Sequence, residues 1–323
     1  MSRKPIHVTR TFLPPQSDYM DLLEVAWNNR WITNRGELVR TLEERLQQRF
    51  GVTNALAMAN GTLPLQIAIK ALNLTGEVIT TPFSFIATSS SLMWEGCVPR
   101  FVDIDPDYLT IDETLIEDAV NENTSAILAT HIYGNPCDVE AIQAIADRHG
   151  LKVIYDAAHC FDVNYKGKSL FAYGDVSTCS FHATKIFHTG EGGAAFCNDS
   201  ELHARLFRLH NFGYTSQVSF DSVGINGKMS ELHAAMGLAM LPYMEDIAAS
   251  RKAVVECYID RLAHASIQLL KLRESTEWNY SYFPIVLETE EHLLDVLNAL
   301  TARQIISRRY FYPSLNETGL LDN

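Results

Sequence analysis

Nothing in the 323 residues approaches the roughly 18 to 20 consecutive apolar side chains that a membrane-spanning helix needs. Basic groups at Arg3 and Lys4 open the chain, but no apolar stretch follows them, so no secretory signal is expected. Cysteine is sparse. Its six copies, at positions 97, 137, 160, 179, 197 and 257, include no Cys-x-x-Cys pair, which argues against a metal centre and for reduced, mostly buried thiols. Positive charge is the scarcer sign, with 26 Lys and Arg against 39 Asp and Glu and a formal net charge of −13. A field of that sign repels phosphate backbones and anionic lipid, so neither nucleic acid nor a membrane surface is an expected partner. These absences together point to a soluble cytoplasmic protein.

What is present reads as an ordinary globular composition, 47% hydrophobic and 20% charged with 17 Gly and 11 Pro. The length suits one large α/β domain with a smaller appendage. Seven short apolar runs, at 55–59, 77–81, 99–103, 125–132, 151–156, 176–181 and 193–197, alternate with stretches of helical period. Runs that are apolar on both faces predict a seven-stranded, largely parallel sheet sandwiched by helices. Helices are expected at 63–72, where Leu65, Ala68, Ile69 and Leu72 mark one face, and at 139–149, where Gly150 stops the pattern. After residue 241 the rhythm changes to a long charged helix at 244–265, a strand at 281–287 and a helix at 290–303 with Thr289 as N-cap. The expected division is therefore an N-terminal segment and large domain over 1–241 and a small α/β domain over 242–323. No closing strand precedes Asn323, so the small domain is expected to be incomplete.

Active sites in such sheets gather at the carboxyl ends of the strands, and three places there carry chemistry. Lys185 follows the run at 176–181 and precedes Gly190, Gly192 and Gly193. A desolvated lysine there is a candidate nucleophile for a carbonyl, although a surface lysine explains the position equally well. Asp156, in Tyr155-Asp156-Ala157-Ala158-His159, closes another strand as either the partner of a protonated heterocycle or a helix N-cap. His159, taken alone, reads as a structural polar residue. Asn60-Gly61-Thr62-Leu63-Pro64 opens a helix and provides either a phosphate cradle or plain capping. Phosphate cradle, acid, then lysine is the set that pyridoxal 5′-phosphate requires.

In Asn60-Gly61-Thr62, Thr81-Pro82-Phe83-Ser84-Phe85-Ile86-Ala87-Thr88, Phe101-Val102-Asp103-Ile104-Asp105, His131-Ile132-Tyr133-Gly134, Tyr155-Asp156-Ala157-Ala158-His159, Ser180-Phe181-His182-Ala183-Thr184-Lys185 and Gly190-Glu191-Gly192-Gly193, the chain resembles the sugar aminotransferases of the DegT/DnrJ/EryC1/StrS group. The resemblance implies the aspartate-aminotransferase fold, pyridoxal phosphate fold type I. It makes Lys185 the lysine that bonds the cofactor's aldehyde and Asp156 the partner of its pyridine nitrogen. Gly61, Thr62 and Ser180 would hold the phosphate, Phe85 would stack on the ring, and His159 would lie near it. Asn226, in Gly224-Ile225-Asn226-Gly227-Lys228-Met229-Ser230-Glu231, resembles the asparagine that reaches the phosphate of a neighbouring subunit, which implies a homodimer with shared active sites. Lys228 stands where many members carry arginine.

The implied reaction takes the amino group of L-glutamate and delivers it to a nucleotide-linked keto sugar, with Lys185 shuttling the proton. Some dehydratase relatives replace this lysine by histidine, so its retention favours transamination. Through Thr11-Phe12-Leu13-Pro14-Pro15, Gly76-Glu77-Val78-Ile79-Thr80-Thr81-Pro82 and Tyr133-Gly134-Asn135-Pro136-Cys137-Asp138, the resemblance runs nearest to members that aminate dTDP-4-keto-6-deoxyglucose in O-antigen synthesis. Amination at C3 and a UDP- or GDP-linked sugar are the alternatives within the family, and sugar dehydration the alternative beyond it. Tyr310, Phe311 and Tyr312 read as either a nucleotide-sugar cleft or core.

Overall fold

All seven apolar runs become strands of a single sheet in the computed structural model, which describes residues 4–319. In chain order they are β1 (Asn54–Met58), β2 (Glu77–Thr80), β3 (Val98–Phe101), β4 (Thr124–Thr130), β5 (Lys152–Asp156), β6 (Val176–Ser180) and β7 (Gly193–Cys197). Across the sheet the order is β1-β7-β6-β5-β4-β2-β3. Only β7 runs antiparallel to its neighbours, so the carboxyl ends of the other six strands share one edge.

The continuous apolar character of these strands follows from burial on both faces. Alternate residues of β4, Ile127 and Ala129 against Ala126 and Leu128, enter two separate cores, and so do Val153 and Ile154 of β5. Helices Glu37–Phe50, Val139–His149 and Glu231–Met240 contribute to one core, and Thr62–Ala71 and Ser200–Leu209 to the other. Val139–His149 begins where Asp138 Oδ1 accepts from the Ala141 amide and ends where Gly150 turns left-handed. Buried Glu231 accepts from the Leu38 and Val39 amides, capping Glu37–Phe50 and binding the residues after Asn226 to the N-terminal helices.

Beyond residue 241 the helices Met244–Leu262 and Glu290–Ala302 form, the second with Thr289 Oγ1 accepting from the His292 amide. The strand expected at 281–287 shrinks to Ile285–Val286. Asn279 Oδ1 takes the Ser281 amide and Pro284 has none to donate, so a longer ladder lacks its donors. Ile6–His7 pairs in parallel with Ile305–Ile306, tying the residues before the first helix to those after helix Glu290–Ala302. Residues 320–323, and with them the abrupt chain end, lie outside the described residues. No helix among the described residues is long and apolar enough to cross a membrane, and no cluster of three or more His, Cys, Asp or Glu among them is placed to hold a metal ion.

Candidate active site

A cavity of about 770 Å³ opens at the carboxyl edge of the sheet, lined by Gly61, Thr62, Phe85, Asp156, His159, Ser180 and Lys185 together with Arg308 and the aromatic run Tyr310, Phe311 and Tyr312. Seven of the eight expected site residues therefore share one space. The eighth, Asn226, is solvent-exposed and does not line it.

The segment after β1 brings Gly61 against Ser180, so close that a Cβ on Gly61 would lie 2.6 Å from the Ser180 Cβ. Any larger residue would push β6 away from the helix start. Asn60, not Thr62, caps that helix: its Oδ1 accepts from both the Thr62 and Leu63 amides at 2.9 Å. Pro64 has no N–H, so the donors at this corner include the Gly61 amide and the Thr62 and Ser180 hydroxyls. They suit a phosphate group.

Asp156 ends β5 in register with Thr130 of β4 and Thr178 of β6, and is only 7% exposed. Its Oδ2 accepts from Thr88 Oγ1 at 2.7 Å and its Oδ1 from the Ala158 amide at 3.2 Å. Lys185 sits half-buried on a tight loop beyond β6, whose ends are held by Phe181 N–H to Gly192 O and Ala183 N–H to Gly190 O, both 2.8 Å. Gly192 is obligatory there, because its Cβ would fall 2.0 Å from Thr189 Oγ1. Burial pushes the Lys185 ammonium below the ordinary lysine range, with Arg308 adding to the effect and Asp156, Cys179 and Cys160 opposing it. A neutral amine results more readily than on a surface lysine.

His159 Nδ1 accepts from the Tyr133 amide at 3.0 Å, which places the ring proton on Nε2. Burial, reinforced by Lys185, holds the imidazole well below its usual range and hence neutral. Its ring packs 4.3 Å from that of Tyr282. Phe85 is 61% exposed at the mouth of the cavity, which excludes a core phenylalanine. Tyr310 and Phe311 pack edge to face at 5.0 Å and Arg308 lies over the Tyr310 ring, so the aromatic run is cavity wall. Arg308 has no ion-pair partner among the described residues, whereas Arg309 pairs with Glu290 at 2.8 Å.

A phosphate corner, an ordered buried acid and a depressed lysine at one strand edge are the parts that pyridoxal phosphate requires, and their donors fit it. The DegT/DnrJ/EryC1/StrS aminotransferase family model matches residues 16–323. The chain belongs to this family. It is a pyridoxal-phosphate-dependent aminotransferase. Among its relatives, the dTDP-4-amino-4,6-dideoxy-D-glucose transaminase of Shigella dysenteriae is 44% identical over 313 residues, 96% of this chain and 85% of the relative. The Escherichia coli enzyme of the same name is 42% identical over 323 residues, covering 98% and 86%. Of solved structures, DesI in the presence of its TDP-sugar product superposes with a TM-score of 0.94 at 34% identity, over 99% of this chain and 83% of that one.

Three residues behind the acid had no role in the sequence reading: Ser84 and Thr130, which line the cavity, and Thr88, which bonds Asp156 from outside its lining. Ser84 and Thr88 lay inside a quoted motif, but a hydroxyl's partner elsewhere in the chain leaves no local signal.

Proposed function

We propose that the enzyme transfers the amino group of L-glutamate to dTDP-4-dehydro-6-deoxy-D-glucose, forming dTDP-4-amino-4,6-dideoxy-D-glucose for O-antigen or lipopolysaccharide synthesis in the cytoplasm. The observation that carries this reading is Lys185, a desolvated amine sharing one cavity with Asp156 and a phosphate corner. The near-full-length likeness to the Shigella dysenteriae and Escherichia coli transaminases supports the choice of sugar. Bound pyridoxal phosphate supplies an electron sink for the bonds broken at the amino-bearing carbon.

The chain's own residues divide the remaining work. The Gly61 amide and the Thr62 and Ser180 hydroxyls hold the phosphate. Asp156 would accept the N–H of the cofactor's ring nitrogen and favour its protonated form. Lys185 Nζ would be the amine that holds the cofactor's aldehyde, and it would serve as the base that moves the proton, a task for which a lowered ammonium range suits it. Phe85 and neutral His159, both in the cavity lining, would shield a bound cofactor from water. Arg308, in the cavity wall and without an ion-pair partner among the described residues, offers a fork of donors to the sugar nucleotide's diphosphate, a local cation within an acidic protein.

The partner in this reading is a second copy. Asn226 is exposed and does not line its own cavity, and it ends a segment whose Phe212, Val218, Phe220 and Val223 are exposed, with Val218 at 87% and Val223 at 85%. A homodimer would bury that segment and carry Asn226 to the neighbour's phosphate corner.

Purified enzyme loaded with pyridoxal phosphate should absorb near the visible edge, lose that band with L-glutamate, and regain it with dTDP-4-dehydro-6-deoxy-D-glucose. The product should carry nitrogen at C4 by NMR. A band that glutamate leaves unchanged would sink the transamination reading, and recovery only with a 3-keto isomer would sink the choice of sugar.

A further inference from the structure

Asp156 is held by more than its strand. Thr88 Oγ1 lies 2.7 Å from Asp156 Oδ2, Ser84 Oγ lies 2.7 Å from Thr88 Oγ1, and Thr130 Oγ1 lies 3.0 Å from Ser84 Oγ. The four side chains come from three places in the fold: the ends of β4 and β5, and the segment that follows β2 into helix Ile86–Trp94. All four are buried, so water does not settle which oxygen donates. Chemistry does. An ionised carboxylate only accepts, so Thr88 donates to Asp156; the Thr88 oxygen then accepts from Ser84, and Ser84 from Thr130. Each proton in the row points toward the acid, and each bond polarises the next. Such pairing is not general here, since the buried hydroxyls of Ser89 and Ser91 on the same helix have no hydrogen-bond partner among the described residues.

We propose that Thr130, Ser84 and Thr88 form a directed hydroxyl relay that fixes the orientation of the Asp156 carboxylate toward the cofactor's pyridine nitrogen. Thr88 holds Oδ2 and the Ala158 amide holds Oδ1, so both oxygens are pinned and the carboxylate plane cannot rotate. The relay acts through Asp156 and touches no substrate. It rests on the reading of Asp156 as the pyridine partner.

The test compares wild type, Thr88→Val, Thr88→Ser and Ser84→Ala as cofactor-free proteins titrated with pyridoxal phosphate, reading intrinsic fluorescence and the near-visible band across pH. Thr88→Val keeps the shape and removes the donor. It should raise the cofactor's dissociation constant about tenfold, ~1.4 kcal/mol, and move the pH midpoint of the band, and Thr88→Ser should restore both. Ser84→Ala should act in the same direction more weakly, and it serves should Thr88→Val fail to fold. In an Asp156→Asn background, Thr88→Val should add nothing. An unchanged dissociation constant and midpoint in Thr88→Val, with only a lower melting temperature, would reduce the relay to packing. Asp156→Asn without effect on binding or spectrum would instead remove the parent reading and the relay with it.

Discussion

A single arginine illustrates how a local charge can overrule a global one. The chain carries a formal −13, yet its proposed substrate is a diphosphate. Arg308 lies in the wall of the cavity that holds Lys185, and its positive charge is felt there, since it helps to lower the lysine's proton affinity. Guanidinium to diphosphate contacts are charge-assisted and forked, whereas a carboxamide in the same place offers one neutral NH2 group and an oxygen that repels the phosphate. Replacing Arg308 with Gln should therefore raise the KM for the nucleotide sugar about tenfold while leaving kcat within about twofold. The rate at which L-glutamate bleaches the cofactor band, measured in single turnover, checks which anion is involved. If the glutamate step slows and the sugar KM does not change, the arginine serves the donor's carboxylate and the diphosphate assignment is wrong.

At the scale of elements, helix Glu37–Phe50 shows what burial does to an acid that bridges two of them. Glu43 Oε1 accepts from the Ala57 amide of β1 at 3.0 Å, and its Oε2 pairs with Arg35 at 2.8 Å. Burial outweighs both partners and pushes its carboxyl up to about 7 from an ordinary 4.5. Between those values the folded chain binds more protons than the unfolded one, so this group's contribution falls as pH rises from about 5 through 7. The full span corresponds to roughly 3 kcal/mol at most. Glu43→Gln should flatten the pH dependence of the urea midpoint over that window; an unchanged slope would show that Glu43 ionises normally. The elements themselves were legible where pattern and punctuation agreed. The strand runs were apolar on both faces because both faces are core, and 139–149 had Asp138 before it and Gly150 after it. The strand expected at 281–287 was not legible, because the Asn279 side chain takes the Ser281 amide in place of a neighbouring strand. In the site, Lys185, Asp156 and Gly61 announced themselves at strand ends. Thr88, Ser84 and Thr130 did not, since their meaning lies in contacts between a loop, a helix and two strand ends, with Ser84 and Thr130 46 positions apart and Thr88 and Asp156 68 apart.

For the whole molecule, the question is whether one chain holds a complete site. The phosphate corner has the Gly61 amide and the Thr62 and Ser180 hydroxyls, but Asn60 consumes two of the helix amides that a self-sufficient anion site would use. A doubly charged phosphate leaves acceptor capacity to spare at that corner, and Asn226 of a second copy would fill it. The segment carrying Asn226 leaves Phe212, Val218, Phe220 and Val223 exposed on and around the hairpin Tyr214–Ser216 and Ser219–Phe220, an apolar surface that costs free energy while it faces water. Changing Val218 and Val223 together to Asp places two like charges where the partner would pack. The double variant should elute as a monomer by light scattering, bind pyridoxal phosphate about tenfold more weakly, and regain neither property at high protein concentration. Asn226→Ala separates the two effects: it should keep the dimer and weaken cofactor binding alone. A monomeric double variant with wild-type cofactor affinity would mean that each chain completes its own phosphate site and that Asn226 serves only its local turn.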